Sequence, residues 1–405
     1  MDNQKPLSGY RIIELATFVA APACARILGD WGADVIKVES PDGDAWRTYG
    51  QTMLMPANED ENPAWEIANA NKRAIALDLK KTEGQKVLHD LLQTADVFIT
   101  NNRIEALKKL NLDYESLKAR YPRLVYGIVT GFGETGPDVN QPGFDTVAFW
   151  GRSGFLADLV PDGAYPVYSP AAFGDLAVGT ILCGGISAAL LKREKTGKGD
   201  KVSISLFGTS VWLAGLMITS TQSRYQNKYP KDRLEGNPMV IPYRTKDKEW
   251  IFLSVLDFDR YWPALCKIIE REDLLADDRF KTRLDMLANR AALIPVLEEA
   301  FATKDIAEWV TRLRAADIVH VRLQHFKDIE NDQQAWANDY IYENTYANGA
   351  KAVLPGSPIR WAEGGSLPEQ SSPLLGEHTQ ELLKELGYTQ AQIAELKSQQ
   401  VAKMR

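Results

Sequence analysis

The 405-residue sequence predicts an α/β fold: a large domain on a parallel sheet, followed by a smaller α+β domain. Three observations carry this. Short β-rich runs alternate with helical periodicity through about the first 130 residues, and such alternation implies a parallel sheet covered on both faces. The chain is too long for one ordinary hydrophobic core. Near Tyr225 the texture changes: Tyr and Pro increase and a more charged stretch begins.

The elements follow in order. Arg11 to Leu15 is a short β-rich run, and Pro22 to Trp31 has helical spacing that stops near Gly32. Val35 to Glu39 and Ala74 to Leu79 read as strands, Thr82 to Gln93 as a helix, and Val97 to Thr100 and Leu124 to Thr130 as further strands. The stretch from Gly131 to Asp145 holds four glycines and two prolines and reads as a structured loop. A long helix from Leu176 to Glu194 precedes a strand from Lys201 to Leu206. The expected division is a large domain over 1–224, a small domain over 225–325, and a linker with a return to the large domain over 326–405. Within the last part, Phe326 to Ile359 has few repeating signals, and Glu377 to Leu386 and Gln390 to Met404 read as terminal helices. Parallel sheets of this kind bind ligands at the carboxyl ends of their strands. No G-x-G-x-x-G follows the first strand, where the turn reads Ala20-Ala21-Pro22-Ala23, which argues against a nicotinamide-type pyrophosphate site.

Composition excludes several classes. Hydrophobic residues make up 45% and charged residues 25%, as in an ordinary globular enzyme. The cysteines Cys24, Cys183 and Cys266 are scattered, so neither a disulfide framework nor a metal site is expected. The N-terminus lacks a secretory pattern, and the weakly polar run Val202 to Ser220 reads as a buried strand–helix pair rather than a membrane span. The cytoplasm is the expected location. A net charge of −7 argues against a general nucleic-acid binder. Between Lys72 and Arg123, however, 11 Lys and Arg stand against 7 Asp and Glu. That excess is either a solvated face or a docking surface for a small polyanion such as a nucleotide.

Asp175 is the first candidate for chemistry. It sits in Ala-Ala-Phe-Gly-Asp-Leu-Ala-Val-Gly-Thr, at the head of an apolar helix. It can cap that helix. It can also serve as a carboxylate nucleophile, with the macrodipole favouring its ionised form, and Gly174 would let a substrate approach the backbone. Gly131, Gly133 and Gly136 are either a turn cluster or a set of N–H donors for a reacting oxygen, and Gly236-Asn237-Pro238 has the same two readings. Neither G-x-x-x-x-G-K-[ST], G-x-S-x-G nor H-E-x-x-H occurs. His89, His320, His325 and His378 are dispersed, away from the glycine loops and Asp175. The residues alone describe an α/β small-molecule enzyme with an acidic site.

Five segments in order carry a resemblance: GADVIKVESPDGDAWR, NANKRAIALDLK, GFGETGP, FGDLAVGT and SSPLLGEHTQELLKELGY. Together, from about Leu7 to about Tyr388, they resemble the family III CoA-transferases, which include formyl-CoA, carnitine and 2-hydroxyacyl-CoA transferases. The blocks EDENPAWEIANANKRAI and AWANDYIYE look closest to the branch that charges 2-hydroxy acids such as 2-hydroxyisocaproate or phenyllactate. The resemblance implies a Rossmann-like large domain made from both ends of the chain, a smaller domain from the later middle, and an interlocked homodimer. An interlocked chain would explain a segment like Phe326 to Ile359 that has no core of its own. The family's Gly-Asp pair matches Gly174-Asp175, making Asp175 the covalent nucleophile, with coenzyme A thioesters as substrates and no permanently bound cofactor or metal. CoA contacts carry over to Leu77, Lys80, Asn101 and Lys109, with Arg103 nearby, inside the basic segment. A glutamine and a lysine of formyl-CoA transferase align with Val19 and Thr130, which favours an acid less polar than oxalate or formate. Val19, Trp46, Tyr49, Phe132 and Trp150 are candidates for an apolar acyl pocket, or for core. The alternative on the same fold is an acyl-CoA racemase, which commonly needs a histidine in the first glycine loop; residues 131 to 145 contain none.

Overall fold

The computed structural model describes residues 5–225, 227–362, 365 and 367–405. In chain order the strands are β1 (Arg11–Leu15), β2 (Asp34–Glu39), β3 (Lys72–Leu77), β4 (Val97–Thr100), β5 (Val125–Thr130) and β6 (Lys201–Ser205). After these come β7 (Pro242–Arg244), β8 (Trp250–Leu253), β9 (His320–Arg322), β10 (Ile341–Thr345), β11 (Lys351–Pro355) and β12 (Ala402–Lys403).

The chain divides into two compact units. The first comprises Met1–Ala157, Pro166–Tyr225 and Gln333–Arg405, the second Asp158–Tyr165 and Gln226–Asp332. The sequence reading differs in leaving 158–165 with the large domain and in ending the small one at 325. The first unit holds a seven-stranded sheet in the order β12-β3-β2-β1-β4-β5-β6. Every pairing is parallel except that of β12 with β3. From β1 the chain builds outward in one direction and then, at β4, in the other. The two loops diverge at that reversal and leave a crevice at the carboxyl ends of the strands.

The strands are nearly continuous apolar runs because both faces are covered. One face packs on the helix Ala20–Asp30 and on the long helix Phe173–Thr196, through Ile12, Val35, Leu28, Val178, Leu182 and Ile186. The other packs on helices Thr82–Gln93, Thr379–Glu385 and Gln390–Ser398, through Ile13, Ile36, Leu88, Leu382 and Ile393. The long helix is apolar enough to cross a membrane by length and composition, yet these residues serve the core. Its small residues allow close approach: a Cβ on Gly179 would lie 2.7 Å from the Ala20 carbonyl oxygen. Cys24 and Cys183 meet there, unbridged, with their sulfurs 3.5 Å apart.

The C-terminus departs from expectation. The helix starting at Gln390 stops at Ser398, Gln400 turns left-handed at φ 53°, and Ala402 and Lys403 pair with the edge of β3. A strand of two residues has no periodicity of its own; its partner across the sheet creates it. The segment 326–359 also acquires structure, as a helix Gln333–Ala337 and the β10–β11 hairpin. The second unit packs helices Phe258–Ile268, Arg290–Phe301 and Ile306–Ala315 on the antiparallel sheet β7-β8-β9, around Tyr243, Trp262, Phe301 and Trp309.

A buried ionic network ties the first three strands together. Glu14 on β1, Lys37 on β2 and Lys72 on β3 have fully buried side chains. Lys37 Nζ lies 2.8 Å from Glu14 Oε1 and 3.1 Å from Asp44 Oδ2, and Lys72 Nζ lies 2.6 Å from Glu14 Oε2. Burial opposes the charge on both lysines. At Lys37 the carboxylates of Glu14, Asp44 and Glu39 outweigh it and hold the amine above its usual range. At Lys72 burial wins and draws the amine down to about 8. Removing one partner of a buried pair leaves an uncompensated charge, which costs about 3–5 kcal/mol. Glu14→Ala strips the shared counter-ion from two lysines, so its urea midpoint should fall by that much stability, whereas the exposed-pair variant Lys86→Ala should move it by less than about 1 kcal/mol.

Candidate active site

A cavity of about 270 Å³ opens where the strand order reverses. Thr17, Phe18 and Ala20 follow β1, Asn101 to Ile104 follow β4, Thr130 and Gly131 end β5, and the stretch from Val139 to Phe144 forms the far wall. Asp175 faces this space from the head of the long helix.

The local geometry follows from packing. The helix begins at Phe173, after Ala172 in a left-handed conformation at φ 58°, so Asp175 stands in the first turn rather than at the cap. The Gly174 N–H donates instead to Asp145 Oδ2 at 3.3 Å. A Cβ on Gly174 would lie 2.3 Å from Asp145 Oδ1 and 2.4 Å from Phe149 Cγ. The glycine is therefore demanded by Asp145 and Phe149, a packing reason distinct from the substrate approach expected of it. Asp145 opens a π-helical turn, Asp145–Gly151, and is 5% exposed, with its Oδ1 unpartnered. Such turns are common at functional sites.

The electrostatics reverse one expectation. The helix terminus favours an ionised Asp175, but burial, and secondarily the neighbouring Asp145 carboxylate, push it up to about 7. Burial likewise raises Asp145 to about 6, against the pull of the Gly174 N–H. Desolvation and a like charge outweigh a partial dipole charge when water is excluded.

Phe18 forms part of the floor. Its backbone is left-handed at φ 62°, rare for so bulky a residue. Its N–H donates to Asp44 Oδ1 at 3.1 Å, and its ring meets Phe144 edge-on at 5.3 Å. Asn101 clamps the same loop, accepting from Thr17 N–H at 3.0 Å and donating to the Thr17 carbonyl at 2.7 Å. Its amide thus positions the loop after β1. Arg103 is exposed and lines the cavity. Of the three expected loop glycines Gly131 reaches it, and a Cβ on Gly131 would lie 2.7 Å from Gly143 Cα where the loop crosses itself. Gly133 and Gly136 are turn residues at φ 106° and 94°, and the Gly133 N–H is taken by Thr130 Oγ1 at 3.1 Å. Gly236 and Asn237 belong to the second unit, where Asn237 Oδ1 accepts the Met239 N–H at 3.0 Å in a turn.

Two other cavities in the first unit are lined by, or lie next to, several of the expected contact residues. The larger, about 500 Å³, lies at the carboxyl ends of β2 and β3 and is lined by Lys80, Lys81, Lys397 and Lys403 together with Asp42 and Asp78. Leu77 is buried in the strand beneath. Lys109, at the far end of helix Ile104–Lys109, lines neither this cavity nor that of Asp175. The smaller, about 120 Å³, is wholly apolar and includes Val19 and Trp46. Tyr49 stacks on Trp46 at 4.6 Å without lining it. Trp150, in the π-helical turn, is buried in the core instead, and Phe132 packs against that core. Among the described residues no histidine lines these cavities, and no cluster of three or more His, Cys, Asp or Glu side chains is placed to hold a metal ion.

Sequence reasoning missed Phe18, Asp145, Lys397 and Lys403. Asp145 had a signal, an acidic residue closing the glycine loop before an aromatic run; the two C-terminal lysines had none. Asp145→Asn keeps an acceptor for the Gly174 N–H and removes the like charge. Carbon-13 NMR of the labelled carboxyl should then show Asp175 titrating below about 7, toward its ordinary range. A raised carboxyl also destabilises the fold once pH exceeds its ordinary value, so Asp175→Asn should melt higher than the parent at pH 8, with the gain fading toward pH 4.

The chain matches CoA-transferase family III over residues 7–379. It is 39% identical over 398 residues to the (R)-2-hydroxy-4-methylpentanoate CoA-transferase of Clostridioides difficile, covering 98% of this chain and 99% of that one. It is 40% identical over 399 residues to the cinnamoyl-CoA:phenyllactate CoA-transferase of Clostridium sporogenes, covering 98% and 97%. Among solved structures, Rv3272 from Mycobacterium tuberculosis superposes with a TM-score of 0.80 at 28% identity, over 93% of this chain and 98% of that one. A CAIB/BAIF family protein from Brucella suis superposes with a TM-score of 0.78 at 31% identity, over 95% and 100%. A Rossmann-ordered sheet, an aspartate at its switch point and near-complete coverage by these relatives lead to one conclusion: the chain belongs to CoA-transferase family III, enzymes that move CoA between acyl-CoAs and carboxylates.

Proposed function

We propose that this enzyme transfers CoA from an acyl-CoA to a free 2-hydroxy acid, with Asp175 as covalent nucleophile. The observation that carries this reading is Asp175 itself, a half-buried carboxylate on the switch-point cavity with no histidine beside it. An Asp175 carboxylate oxygen attacks the thioester carbonyl of the donor, the C–S bond breaks, and an aspartyl–acyl anhydride and CoA thiolate result. The thiolate attacks the aspartyl carbonyl, releasing the donor acid and leaving an aspartyl–CoA thioester. The acceptor carboxylate then attacks that thioester, giving a new anhydride and thiolate. Attack of the thiolate on the acceptor's acyl carbon yields the product thioester and restores Asp175. Thioester energy is conserved throughout by the covalent intermediates. Loop N–H groups near Gly131 would stabilise each tetrahedral oxyanion.

We assign the phosphates of CoA to the lysine-lined cavity at β2 and β3. Lys80, Lys81, Lys397 and Lys403 supply charge there, and Leu77 underlies it. The thioester end would reach the Asp175 cavity along the same sheet edge, past Asn101 and Arg103. Lys109 is then a peripheral contact at most. A homodimer is proposed as the working form. It is supported by exposed apolar side chains: Trp212 at 79% and Leu216 at 89%, with Ile181 and Leu191 on the long helix at 45% and 61%. Patches of that kind mark interfaces, and light scattering should read twice the chain mass of 45.2 kDa.

Hydroxylamine trapping tests the mechanism. With acyl-CoA present, the peptide carrying Asp175 should gain the mass of an aspartyl hydroxamate, and without it none. An unmodified Asp175 alongside turnover would sink the anhydride scheme. Asp175→Ala should lose at least on the order of 10³-fold in kcat while still binding CoA. The pair Lys80→Ala with Lys403→Ala should do the reverse, raising KM for the thioester about tenfold with kcat little changed.

A further inference from the structure

We infer that the 120 Å³ apolar cavity beside Asp175 is the seat of the acid's side chain and selects a short aliphatic one. The inference rests on Asp175 being the nucleophile and deepens that reading. The cavity wall includes Val19, Trp46, Met53, Met55, Ala68 and Leu176. Leu176 follows Asp175 directly, and Val19 lies between Phe18 and Ala20, which line the Asp175 cavity. The loop after β1 and the first turn of the long helix thus contribute residues to both cavities.

The wall offers no polar side-chain partner. Its one polar side-chain atom, the indole N–H of Trp46, already donates to the Ala64 carbonyl at 2.8 Å. An ionised second carboxylate placed here would be buried unpaired, at a cost of several kcal/mol. Dicarboxylic acids are thus rejected by chemistry. Size is the second filter. An apolar cavity of about 150 Å³ stays dry and takes a benzene ring; this one is smaller. It suits a branched or straight side chain of about four carbons and crowds a phenyl ring. Met53 and Met55 set the outer limit, since thioether side chains adapt their shape. Ala68 sets the depth: it is fully buried, and any larger residue there projects into the cavity.

A competition assay tests this, with one acyl-CoA donor and mixed acceptors: 2-hydroxy-4-methylpentanoate, phenyllactate, 2-hydroxyglutarate and lactate. The expected kcat/KM order places the methylpentanoate first and 2-hydroxyglutarate at least about a hundredfold lower. One methylene in a hydrophobic pocket is worth about 10–200-fold. Met55→Ala should therefore raise the phenyllactate-to-methylpentanoate ratio about tenfold, and Ala68→Leu should lower the methylpentanoate-to-lactate ratio about tenfold. The ratios are read within one enzyme sample, so loss of folded protein cancels, and the two variants shift different ratios. A parent enzyme that charges 2-hydroxyglutarate or phenyllactate as well as the methylpentanoate, or ratios unmoved in both variants, would overturn the assignment. Hydroxamate formation at Asp175 in the same samples keeps the two readings apart: trapping with the wrong acid order defeats the cavity assignment alone, whereas turnover without trapping defeats the nucleophile.

Discussion

The pairing of Glu14 with Lys37 and Lys72 across the first three strands is the constraint on which the rest depends. Lys37 also holds Asp44. One oxygen of Asp44 receives the N–H groups of both Phe18 and Trp46, at 3.1 and 3.0 Å. That single carboxylate thus sets the floor of the Asp175 cavity and a wall of the apolar cavity together. The desolvation of four charged groups is large, and it is offset only where every lone pair and proton finds a partner. Lys72 meets that condition by donating to the Pro22 carbonyl and Asn69, each at 2.9 Å. The left-handed Phe18 is tolerated because the network over-determines it.

The same exclusion of water explains the state of Asp175. A carboxylate pushed up to about 7 is a destabilised anion. Its covalent forms, anhydride and thioester, carry no charge on the aspartyl group and lose less in an apolar setting. On the proposed mechanism, the environment that raises the carboxyl would narrow the gap between resting enzyme and acylated intermediate. Asp145 adds to this from behind the helix and shapes the turn through Gly174. The division of labour among the cavities follows from strand order. Lysines gather at the carboxyl ends of β2 and β3, and Asp175 faces the cavity at the reversal between β1 and β4.

Much of this was legible along the chain. The β-rich runs at Arg11–Leu15, Val35–Glu39 and Val97–Thr100, alternating with helical periodicity, pointed to the parallel sheet. Gly174-Asp175 before a long apolar helix offered the nucleophile proposed above, and Lys80 and Arg103 in a basic segment offered charge for a polyanion. Val19 and Trp46 line an apolar cavity, while Phe132 and Trp150, alike in chemistry, pack on the core. Nothing in their side chains distinguishes the two outcomes; the course of the backbone does.

By itself, then, the sequence determined the fold class and the family, and it put a carboxylate at the head of an apolar helix, since periodicity and short motifs are local properties of the chain. Only the tertiary structure decided which distant groups share a space. Lys80 and Lys403 line one cavity across more than three hundred residues because β12 pairs with β3. Cys24 touches Cys183 because two helices pack on one face of the sheet. The ionisation of Asp175 was decided there too. A helix terminus favours the anion, and that much can be read from position; burial and the approach of Asp145 reverse it, and both arise only when the chain has closed around the carboxylate.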